Sequence, residues 1–299
     1  MSPPPKVSIC IPVYNGLPWI EHTMRSVMAQ TLQDFEVIVR DDCSRDGTAD
    51  FLQERFGSDH RVRIIRNDRN VDVGGQYNLL FEDARGEFIL KLDADDLIAP
   101  AFLQRTISAA SSNLADVVMA GWEWLQMPEG RTIRPQVQVT IPNGFVNDPL
   151  RVVLEKNPFH MCFGIFRRHL LDQIRRDGQF VLFTETCDWE CQVRLAIAGA
   201  KFYFITDVLG HYRLHDSNRS YRPNAQGESI ICDVLPYWHD VIRAKLGQGW
   251  LRANAIRLLS DHLKAVAGGR AAVSGKIVIA AARLITGRVL FPHWCLRSR

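Results

Sequence analysis

Two clusters of carboxylates each follow directly on an apolar segment, in "FEVIVRDD" (35–42) and in "FILKLDADD" (88–96). Carboxylates this close together raise one another's pKa unless a positive charge lies between them. A divalent cation supplies that charge, and carboxylate oxygens are the ligands that Mg²⁺ and Mn²⁺ prefer. The clusters therefore indicate a site for a cation and the ligand it holds. The alternative is that each Asp only forms the turn that ends a strand.

The elements that must position these clusters alternate between strands and helices. Apolar runs and helical spacing predict strand 6–13, helix 16–30, strand 35–40, a helix from 48, strand 61–66, helix 76–84 and strand 87–92. This order is typical of the α/β class, with a doubly wound, mainly parallel sheet and helices on both of its faces. Ligands bind outside the carboxyl ends of the strands in such sheets, so both carboxylate clusters fall at the ligand-binding edge.

The second half of the chain continues the sheet in a less regular way. We predict a helix near 100–111, strands within 116–127, 131–140, 162–167 and 201–206, and a helix that opens at Asp188. From about residue 224 onward the pattern is helical.

Several function classes are excluded by motifs that the sequence lacks. The segment "GGRAAVSGKI" (268–277) differs from a phosphate-binding P-loop, because Arg270 stands where the first Gly of that motif belongs. The segment "VDVGGQYN" (71–78) is not the dinucleotide-binding G-x-G-x-x-G, and it follows the third strand rather than the first.

The seven cysteines have no framework or zinc spacing, so we expect reduced thiols. With no basic leader and no run of about 20 apolar residues, the sequence predicts neither export nor a membrane span.

Five segments carry the strongest pattern in the chain, namely "VSICIPVYNG" (7–16), "VIVRDDCSRDGT" (37–48), "NVDVGGQYN" (70–78), "GEFILKLDADD" (86–96) and "TCDWECQVRLAIAG" (186–199). In order and spacing they resemble the family-2 inverting glycosyltransferases, which have the nucleotide-diphospho-sugar transferase (GT-A) fold. The resemblance covers roughly residues 6–222. It implies a nucleotide-sugar-binding half over 1–105, an acceptor-binding half of the same domain over 106–222, and a helical C-terminal extension over 223–299.

The resemblance also implies a role for each matching residue. The implied donor site consists of Pro12, Tyr14, Asn15, Asp41, Asp42, Asn70, Asn78, Asp93 and Arg213. Asp95 is implied to bind the metal ion, Mn²⁺ or Mg²⁺, and Asp188 to be the catalytic base that deprotonates the acceptor hydroxyl.

Two departures from the family pattern concern the site. Cys187 stands where the family has a Glu before the base, and the segment 70–78 lacks an Arg that the family carries. Several assignments have alternatives. Tyr14 either stacks on a nucleobase or packs on the core at the end of its strand, and Asp188 is also well placed to be the N-cap of its helix. In the segment "GHYRLHDSNRS" (210–220), Arg213 and His215 either approach the diphosphate or belong to a solvated loop. His160 either lines the acceptor site or is a buried histidine with satisfied hydrogen bonds.

The predicted reaction is a metal-dependent, inverting transfer of a sugar from a nucleotide-diphospho-sugar, with a UDP-sugar preferred. The predicted acceptor is a hydroxyl group of a glycan or a lipid-linked molecule in cell-surface polysaccharide synthesis. One alternative is a sugar nucleotidyltransferase, but that class carries a Gly-rich basic loop after the first strand, where this chain has "PVYNGLPW" (12–19). The other is an inactive sugar-nucleotide-binding scaffold, which would tolerate loss of the metal carboxylates that this chain retains.

The charge of the chain is divided unevenly. Residues 241–299 carry eleven Lys and Arg and one Asp, a net charge of +10, whereas the other residues carry 25 basic and 32 acidic side chains, a net charge of −7. Within 276–291, Lys276 and Arg283 share one helical strip with Ala280 and Gly287, and apolar residues that include Ile277 and Leu284 fill a broad arc, a pattern typical of helices on anionic membranes. We therefore expect a cytoplasmic protein held peripherally at the inner membrane face by residues 270–299, with no nucleic-acid partner. The alternative is that this segment packs on the body or on a partner.

Overall fold

The computed structural model describes residues 3–126, 131–132, 141–155, 159–182, 187–216, 218, 234, 238–267, 277, 281 and 284. They belong to two compact units, residues 1–216 and residues 217–299, each of which is described by itself. The predicted strand over 131–140 is described only at 131–132, and the rest of it lies outside the described residues, as does most of 270–299.

The first unit is built on one large sheet. In the described part of the chain its strands are β1 (Val7–Val13), β2 (Phe35–Asp41), β3 (Val62–Arg66), β4 (Phe88–Lys91), β5 (Leu97–Ile98), β6 (Val117–Gln126), β7 (Arg131–Thr132), β8 (Gly144–Phe145), β9 (Gly164–Arg167) and β10 (Phe202–Leu214). Their order is β3-β2-β1-β4-β9-β6-β10-β5, with β7 beside β6 and β8 beside β10.

Helices connect and cover these strands. Those of the first unit are α1 (Leu17–Met28), α2 (Thr48–Phe56), α3 (Val73–Asp83), α4 (Phe102–Asn113), α5 (Pro149–Glu155), α6 (Arg168–Gln173) and α7 (Cys187–Ile197), with a 3₁₀ turn over Met161–Phe163. Helix α1 buries Ile20, Met24 and Val27, which lie four and three residues apart and so form one apolar stripe. Strand β1 is buried along nearly its whole length, as expected for a parallel strand covered on both faces.

The predicted α/β class is confirmed, and the pairing shows where the sheet is parallel. Strands β3, β2, β1 and β4, the region that carries both carboxylate clusters, pair in parallel. The second half is mixed, because β9 runs antiparallel to both β4 and β6, and β5 runs antiparallel to β10. The parallel pair β6 and β10 completes this half.

The second unit contains α8 (His239–Leu246) and α9 (Gln248–Ala267). Ile277 and Leu284, which the sequence analysis assigned to a lipid-facing arc, are buried, and the carbonyl oxygen of Leu284 accepts a hydrogen bond from Gln248 Nε2 at 3.2 Å. That part of the prediction is wrong, because a side chain packed against protein is not available to lipid. No helix among the described residues is long and apolar enough to cross a membrane.

Candidate functional site

Both carboxylate clusters lie beside the carboxyl end of β1. The last residue of β1, Val13, is paired with Asp41, and its carbonyl oxygen accepts a hydrogen bond from Asp42 N at 2.8 Å. On the other side of β1, Leu92 N donates to Cys10 O at 2.9 Å, which carries β4 into its own cluster. The sequence prediction that parallel strands deliver the two clusters to one edge therefore holds.

Asp42 is held by the loop that follows β3. Its Oδ1 atom accepts hydrogen bonds from Asn67 Nδ2 at 2.8 Å and from Val71 N at 3.0 Å, and its carbonyl oxygen accepts one from Asn70 Nδ2 at 3.0 Å. Asp41 is fully buried, and its Oδ1 atom has no hydrogen-bond partner among the described residues. The structure thus joins Asp41, Asp42 and Asn70, three of the predicted donor-site residues.

The loop after β1 presents an exposed aromatic ring. Tyr14 is 54% exposed, and its neighbour Asn15 has left-handed backbone with φ of 50°. Asn15 Oδ1 accepts a hydrogen bond from Arg45 N at 2.9 Å, and Asn15 N donates to Ser44 Oγ at 2.8 Å, which ties this loop to the one after β2. Pro12 precedes the loop within β1. An exposed ring on a fixed loop is suited to stacking on a planar base.

The second cluster forms a tight turn that concentrates negative charge. Oxygen atoms of Asp93, Asp95 and Asp96 lie within 4.8 Å of one another, a spacing that could hold a metal ion. Asp96 is fully buried, and its Oδ2 atom has no hydrogen-bond partner in the described part of the chain. Burial and the charges of Asp95 and Asp93 raise the pKa of Asp96 well above its ordinary value. The ionised form of Asp96 is therefore disfavoured in this turn, a condition that a divalent cation would relieve.

Arg213 holds this turn in place through hydrogen bonds. Its side chain is 1% exposed, and its Nε atom donates to the carbonyl oxygen of Asp95. Its Nη2 atom donates to Trp19 O at 3.0 Å and to Thr23 Oγ1 at 2.8 Å, both in α1. The backbone N of Arg213 donates to Asp96 Oδ1 at 3.1 Å. In this structure Arg213 thus contacts protein atoms rather than an open surface, and its predicted contact with the diphosphate stays a prediction.

His215 contacts the same turn. Its ring stacks on Trp19 with a centroid distance of 4.2 Å and an interplanar angle of 15°, and its Nε2 atom lies 3.1 Å from Asp95 Oδ2. Trp19 was not singled out from the sequence, where it reads as an ordinary residue of an amphipathic helix. For residues 210–215 the solvated-loop alternative is wrong, because β10 runs to Leu214 and His215 is held by these two contacts. Ser217, Arg219 and Ser220 of the same segment lie outside the described residues.

A buried lysine was also missed. Lys91 counted as one position of an apolar strand, yet its Nζ atom lies 2.7 Å from Asp93 Oδ1 and 3.1 Å from Cys162 Sγ. The Cys162 thiol in turn donates to Asp93 Oδ2 at 3.0 Å. The signal available in the sequence was a charged residue inside an otherwise apolar strand, directly before the acidic cluster.

A second potential metal set, Asp96, His160 and Cys162, does not suit a cation. Their ligand atoms lie within 4.8 Å of one another. Burial raises the pKa of Cys162 well above its ordinary value, and the Asp93 charge adds to this effect, so the thiol stays protonated.

Asp188 and His160 are close enough to interact electrostatically. Asp188 is half-buried in the first turn of α7, and its Oδ1 atom accepts a hydrogen bond from Trp189 N at 2.8 Å. Burial and the Lys91 charge lower the pKa of His160, whereas Asp93, Asp188 and Asp95 act in the opposite sense, so all of these charges lie within electrostatic range of its ring.

The imidazole of His160 is packed among aromatic rings. Its centroid lies 5.4 Å from that of Trp122, 5.1 Å from that of Phe163 and 5.0 Å from that of Tyr212. Its Nδ1 atom is buried without a hydrogen-bond partner among the described residues. The interpretation as a fully satisfied buried histidine is therefore wrong.

Asn78 connects α3 to the segment that precedes α7. Its Oδ1 atom accepts hydrogen bonds from Phe180 N at 2.7 Å and Val181 N at 3.0 Å, and its Nδ2 atom donates to Val181 O at 3.1 Å. These contacts fix backbone, and a direct contact of Asn78 with a donor stays a prediction.

The comparisons with known proteins agree with this arrangement. The family model described as glycosyl transferase family 2 matches residues 8–175. The succinoglycan biosynthesis protein ExoO of Rhizobium meliloti (strain 1021) is 34% identical over 191 residues, which are 59% of this chain and 54% of ExoO. The chain spans between 14% and 62% of the length of each of eight curated relatives that it matches.

Solved structures share the architecture. S. aureus TarS 1–349 in complex with UDP-GlcNAc is 18% identical, with a TM-score of 0.61, and the match covers 98% of this chain and 76% of that one. The mannosyltransferase PcManGT from Pyrobaculum calidifontis, in complex with GDP-Man and Mn²⁺, is 21% identical, with a TM-score of 0.61, and the match covers 96% and 80%. These likenesses show the GT-A fold. Together with the family match over more than half of the chain, they establish that this protein belongs to glycosyl transferase family 2.

Proposed function

We propose that this chain is a metal-dependent, inverting glycosyltransferase that moves a sugar from a nucleoside-diphosphate sugar to a hydroxyl group of a glycan or lipid-linked acceptor. The observation that carries the proposal is the crowding of three carboxylates within 4.8 Å, one of them with a buried oxygen that has no partner among the described residues. Asp188, a carboxylate on a separate helix, lies within electrostatic range of Lys91 and His160, two groups on which Asp93 also acts.

The metal-holding residues are Asp95 and His215. Asp95 Oδ2 and His215 Nε2 lie 3.1 Å apart, and stacking on Trp19 fixes the orientation of the imidazole. Carboxylate and imidazole together suit Mn²⁺, and carboxylates alone suit Mg²⁺. When bound, the ion neutralises the charge that develops on the leaving diphosphate.

The protein's own residues would act in the following way. The exposed ring of Tyr14 stacks on the nucleobase, and Asp42 holds the adjacent loop. Asp188 accepts the proton of the acceptor hydroxyl as its oxygen bonds to the anomeric carbon on the face opposite the diphosphate. The bond to the diphosphate breaks in the same step, so the configuration at the anomeric carbon inverts.

The relatives support a particular choice of substrates. ExoO is named for succinoglycan biosynthesis, which supports a growing cell-surface polysaccharide as the acceptor. The TarS complex with UDP-GlcNAc supports a UDP-sugar as the donor, and the PcManGT complex makes a GDP-sugar the first alternative to test. On this proposal residues 1–105 bind the donor and residues 106–222 bind the acceptor.

The decisive test measures binding and product together. UDP and GDP, each with Mn²⁺, with Mg²⁺ or with chelator, are added to the protein, and we expect one nucleotide to raise Tm only with metal, because a ligand bound to the native state stabilises it. UDP-sugars and GDP-sugars are then assayed for release of nucleoside diphosphate. Release of pyrophosphate from a nucleoside triphosphate and a sugar phosphate would instead identify a nucleotidyltransferase. Absence of both reactions together with retained nucleotide binding would identify a scaffold.

We further propose that the second unit holds the enzyme at the cytoplasmic face of an anionic membrane. Arg252, Ile256 and Leu263 are exposed on α9 and lie four and seven residues apart, on one strip of the helix. The net charge of +10 over 241–299 supports attraction to anionic lipid.

The double variant Ile256→Glu and Leu263→Glu should lose co-sedimentation with anionic vesicles. The control Leu114→Glu, at a 70% exposed position of the first unit, should not. Equal sedimentation of both variants would refute the proposal.

A further inference from the structure

Lys91 is a fully buried lysine at the carboxyl end of β4. Its side chain is 2% exposed, and the residues before it in the strand, Phe88, Ile89 and Leu90, are buried apolar side chains. Removing an ammonium group from water is strongly unfavourable unless charge and hydrogen bonds compensate. An apolar residue would fill this position without that cost, so the lysine requires a reason beyond packing.

The surroundings of Lys91 provide the compensation. Its Nζ atom lies 2.7 Å from Asp93 Oδ1, donates to Cys162 Sγ at 3.1 Å and lies 4.8 Å from the centroid of the Tyr77 ring. The Cys162 thiol in turn donates a hydrogen bond to Asp93 Oδ2 at 3.0 Å. Lys91, Cys162 and Asp93 thus form a closed ring of one ion pair and two hydrogen bonds.

This ring fixes both oxygen atoms of Asp93. Oδ1 is held by Lys91 and Oδ2 by Cys162, so the carboxylate cannot rotate without breaking a buried contact. Burial raises the pKa of Asp93, but the charge and hydrogen bond of Lys91 and the hydrogen bond of Cys162 outweigh it, so the pKa lies below its ordinary value. Asp96 shows the opposite result, because burial and the charges of Asp95 and Asp93 outweigh the hydrogen bond from Arg213 N and the more distant charge of Lys91.

We propose that Lys91 is a positioning residue for sugar transfer, which holds Asp93 in one orientation at the donor site with Cys162 as its second donor. The inference rests on the proposed function, since it assigns Asp93 to the nucleotide sugar. Lys91 acts through Asp93 and does not touch the substrate, because its amino group is enclosed by Asp93, Cys162 and Tyr77 and is shielded from solvent.

A double-mutant cycle tests this directly. Lys91→Met and Asp93→Asn are made singly and together, and kcat and KM are measured with the nucleotide sugar that the wild type uses. We expect Lys91→Met to lower kcat/KM by about 10²-fold, the scale of a misplaced catalytic contact. In the Asp93→Asn background, Lys91→Met should lower kcat/KM by less than about threefold, because the contact is already lost. Lys6→Met, which removes a half-exposed lysine from the other edge of the sheet, should leave kcat/KM unchanged.

Two further measurements keep the test decisive. If Lys91→Met does not fold, Cys162→Ala and Cys162→Ser replace it: Ser keeps a donor to Asp93 and should retain most of the wild-type kcat, whereas Ala should lower it. Additive effects of Lys91→Met and Asp93→Asn, or full activity of Lys91→Met, would overturn the proposal. If the wild type transfers no sugar, the proposed function fails first. The same double-mutant cycle is then measured by denaturant unfolding. We expect a coupling of about tenfold in the unfolding constant, and the absence of coupling would contradict the proposed contact.

Discussion

The two edges of the parallel part of the sheet both bury acidic side chains, yet they treat the oxygen atoms of those side chains differently. At the amino edge, Glu36 accepts hydrogen bonds from Ser8 Oγ at 2.7 Å, from Arg85 N at 2.9 Å and from Arg85 Nη2 at 2.6 Å. At the carboxyl edge, Asp41 Oδ1 and Asp96 Oδ2 are buried without a hydrogen-bond partner among the described residues.

On the proposed function, this difference separates an acid that stabilises the fold from acids that are available to bind a ligand. An unsatisfied buried polar atom costs about 1–3 kcal/mol, and native proteins keep few of them. The amino edge avoids that cost, since both oxygens of Glu36 are satisfied. The carboxyl edge carries that cost, as expected if stability is exchanged there for the proposed binding function. Substitutions at the two edges should therefore change different measured quantities.

The largest effect is expected at Asp95. Asp95→Asn removes the main anionic ligand for the cation, so kcat/KM should fall by about 10²–10⁴-fold, as expected for loss of several kcal/mol of electrostatic stabilisation. Tm should stay close to the wild-type value, because Asp95 is only half-buried and contributes little to the core. Transfer assays over a range of Mn²⁺ concentrations provide the measurement. Wild-type activity of this variant, or full activity of the wild type in chelator, would contradict the prediction.

Asp188 should show the next largest effect. Asp188→Asn keeps the shape and the hydrogen bond from Trp189 N but cannot accept a proton, so kcat should fall by about 10²–10⁴-fold. Nucleotide binding, measured as the rise in Tm with UDP or GDP and metal, should persist. Near-normal transfer would show that Asp188 only supports the start of α7.

At the amino edge the expected effect is on stability. Glu36→Gln weakens the charged hydrogen bond with Arg85, so we expect the free energy of unfolding to fall by about 2 kcal/mol while kcat/KM stays unchanged. The control Glu87→Gln, whose side chain is 44% exposed, should cost less than about 1 kcal/mol. Denaturant unfolding monitored by circular dichroism separates the two. A loss of activity without a loss of stability would contradict the comparison.

The same contacts predict an acid dependence. Burial raises the pKa of Glu36, but hydrogen bonds from Arg85 and Ser8 outweigh it, so the folded-state pKa lies below the ordinary value. The stabilisation is therefore present above the pKa of an unfolded glutamate, about 4.3, and is lost as pH falls through the folded-state value. Unfolding curves between pH 7 and pH 3 should show a smaller acid loss for Glu36→Gln than for the wild type. Parallel losses would argue against it.

Asp96 should show the smallest effect on stability. Asp96→Asn can keep the acceptor for Arg213 N and removes a charge that burial disfavours. The free energy of unfolding of the metal-free protein should therefore stay the same or rise by up to about 1 kcal/mol. A clear destabilisation would show that Asp96 serves the fold in the same way as Glu36.

Much of the parallel half could be predicted from the sequence, because its signals are local. An apolar run, a turn and an amphipathic helix recur along 6–92, and each strand pairs with a neighbour that the alternation implies. The antiparallel insertion of β9 between β4 and β6 could not be predicted in this way. Its place depends on pairing with strands that lie about 75 and 45 positions away, and no turn residue encodes such a choice.

The site shows the same limit. Asp93, Asp95 and Asp188 were found because acidic residues at strand and helix ends stand out from their neighbours. Lys91 was missed because its partner Cys162 lies 71 positions away, so the strand sequence alone does not show what compensates the burial of a lysine. Arg213 was predicted to approach the diphosphate, and its contacts with the acidic turn and α1 depend on tertiary packing that spacing does not reveal.

The contacts of Arg213 have a consequence for how the enzyme is made. Its partners Trp19 and Thr23 lie 194 and 190 positions earlier in the chain, and contacts of such separation form late because a long loop must close first. During synthesis the strands that hold Tyr14 and Asp42 leave the ribosome well before β10. A nascent or truncated chain would therefore contain the loops of Tyr14 and Asp42, while its acidic turn would lack the contacts with Arg213. Catalytic competence should then appear only when β10 has been added, so incomplete chains would not consume nucleotide sugar.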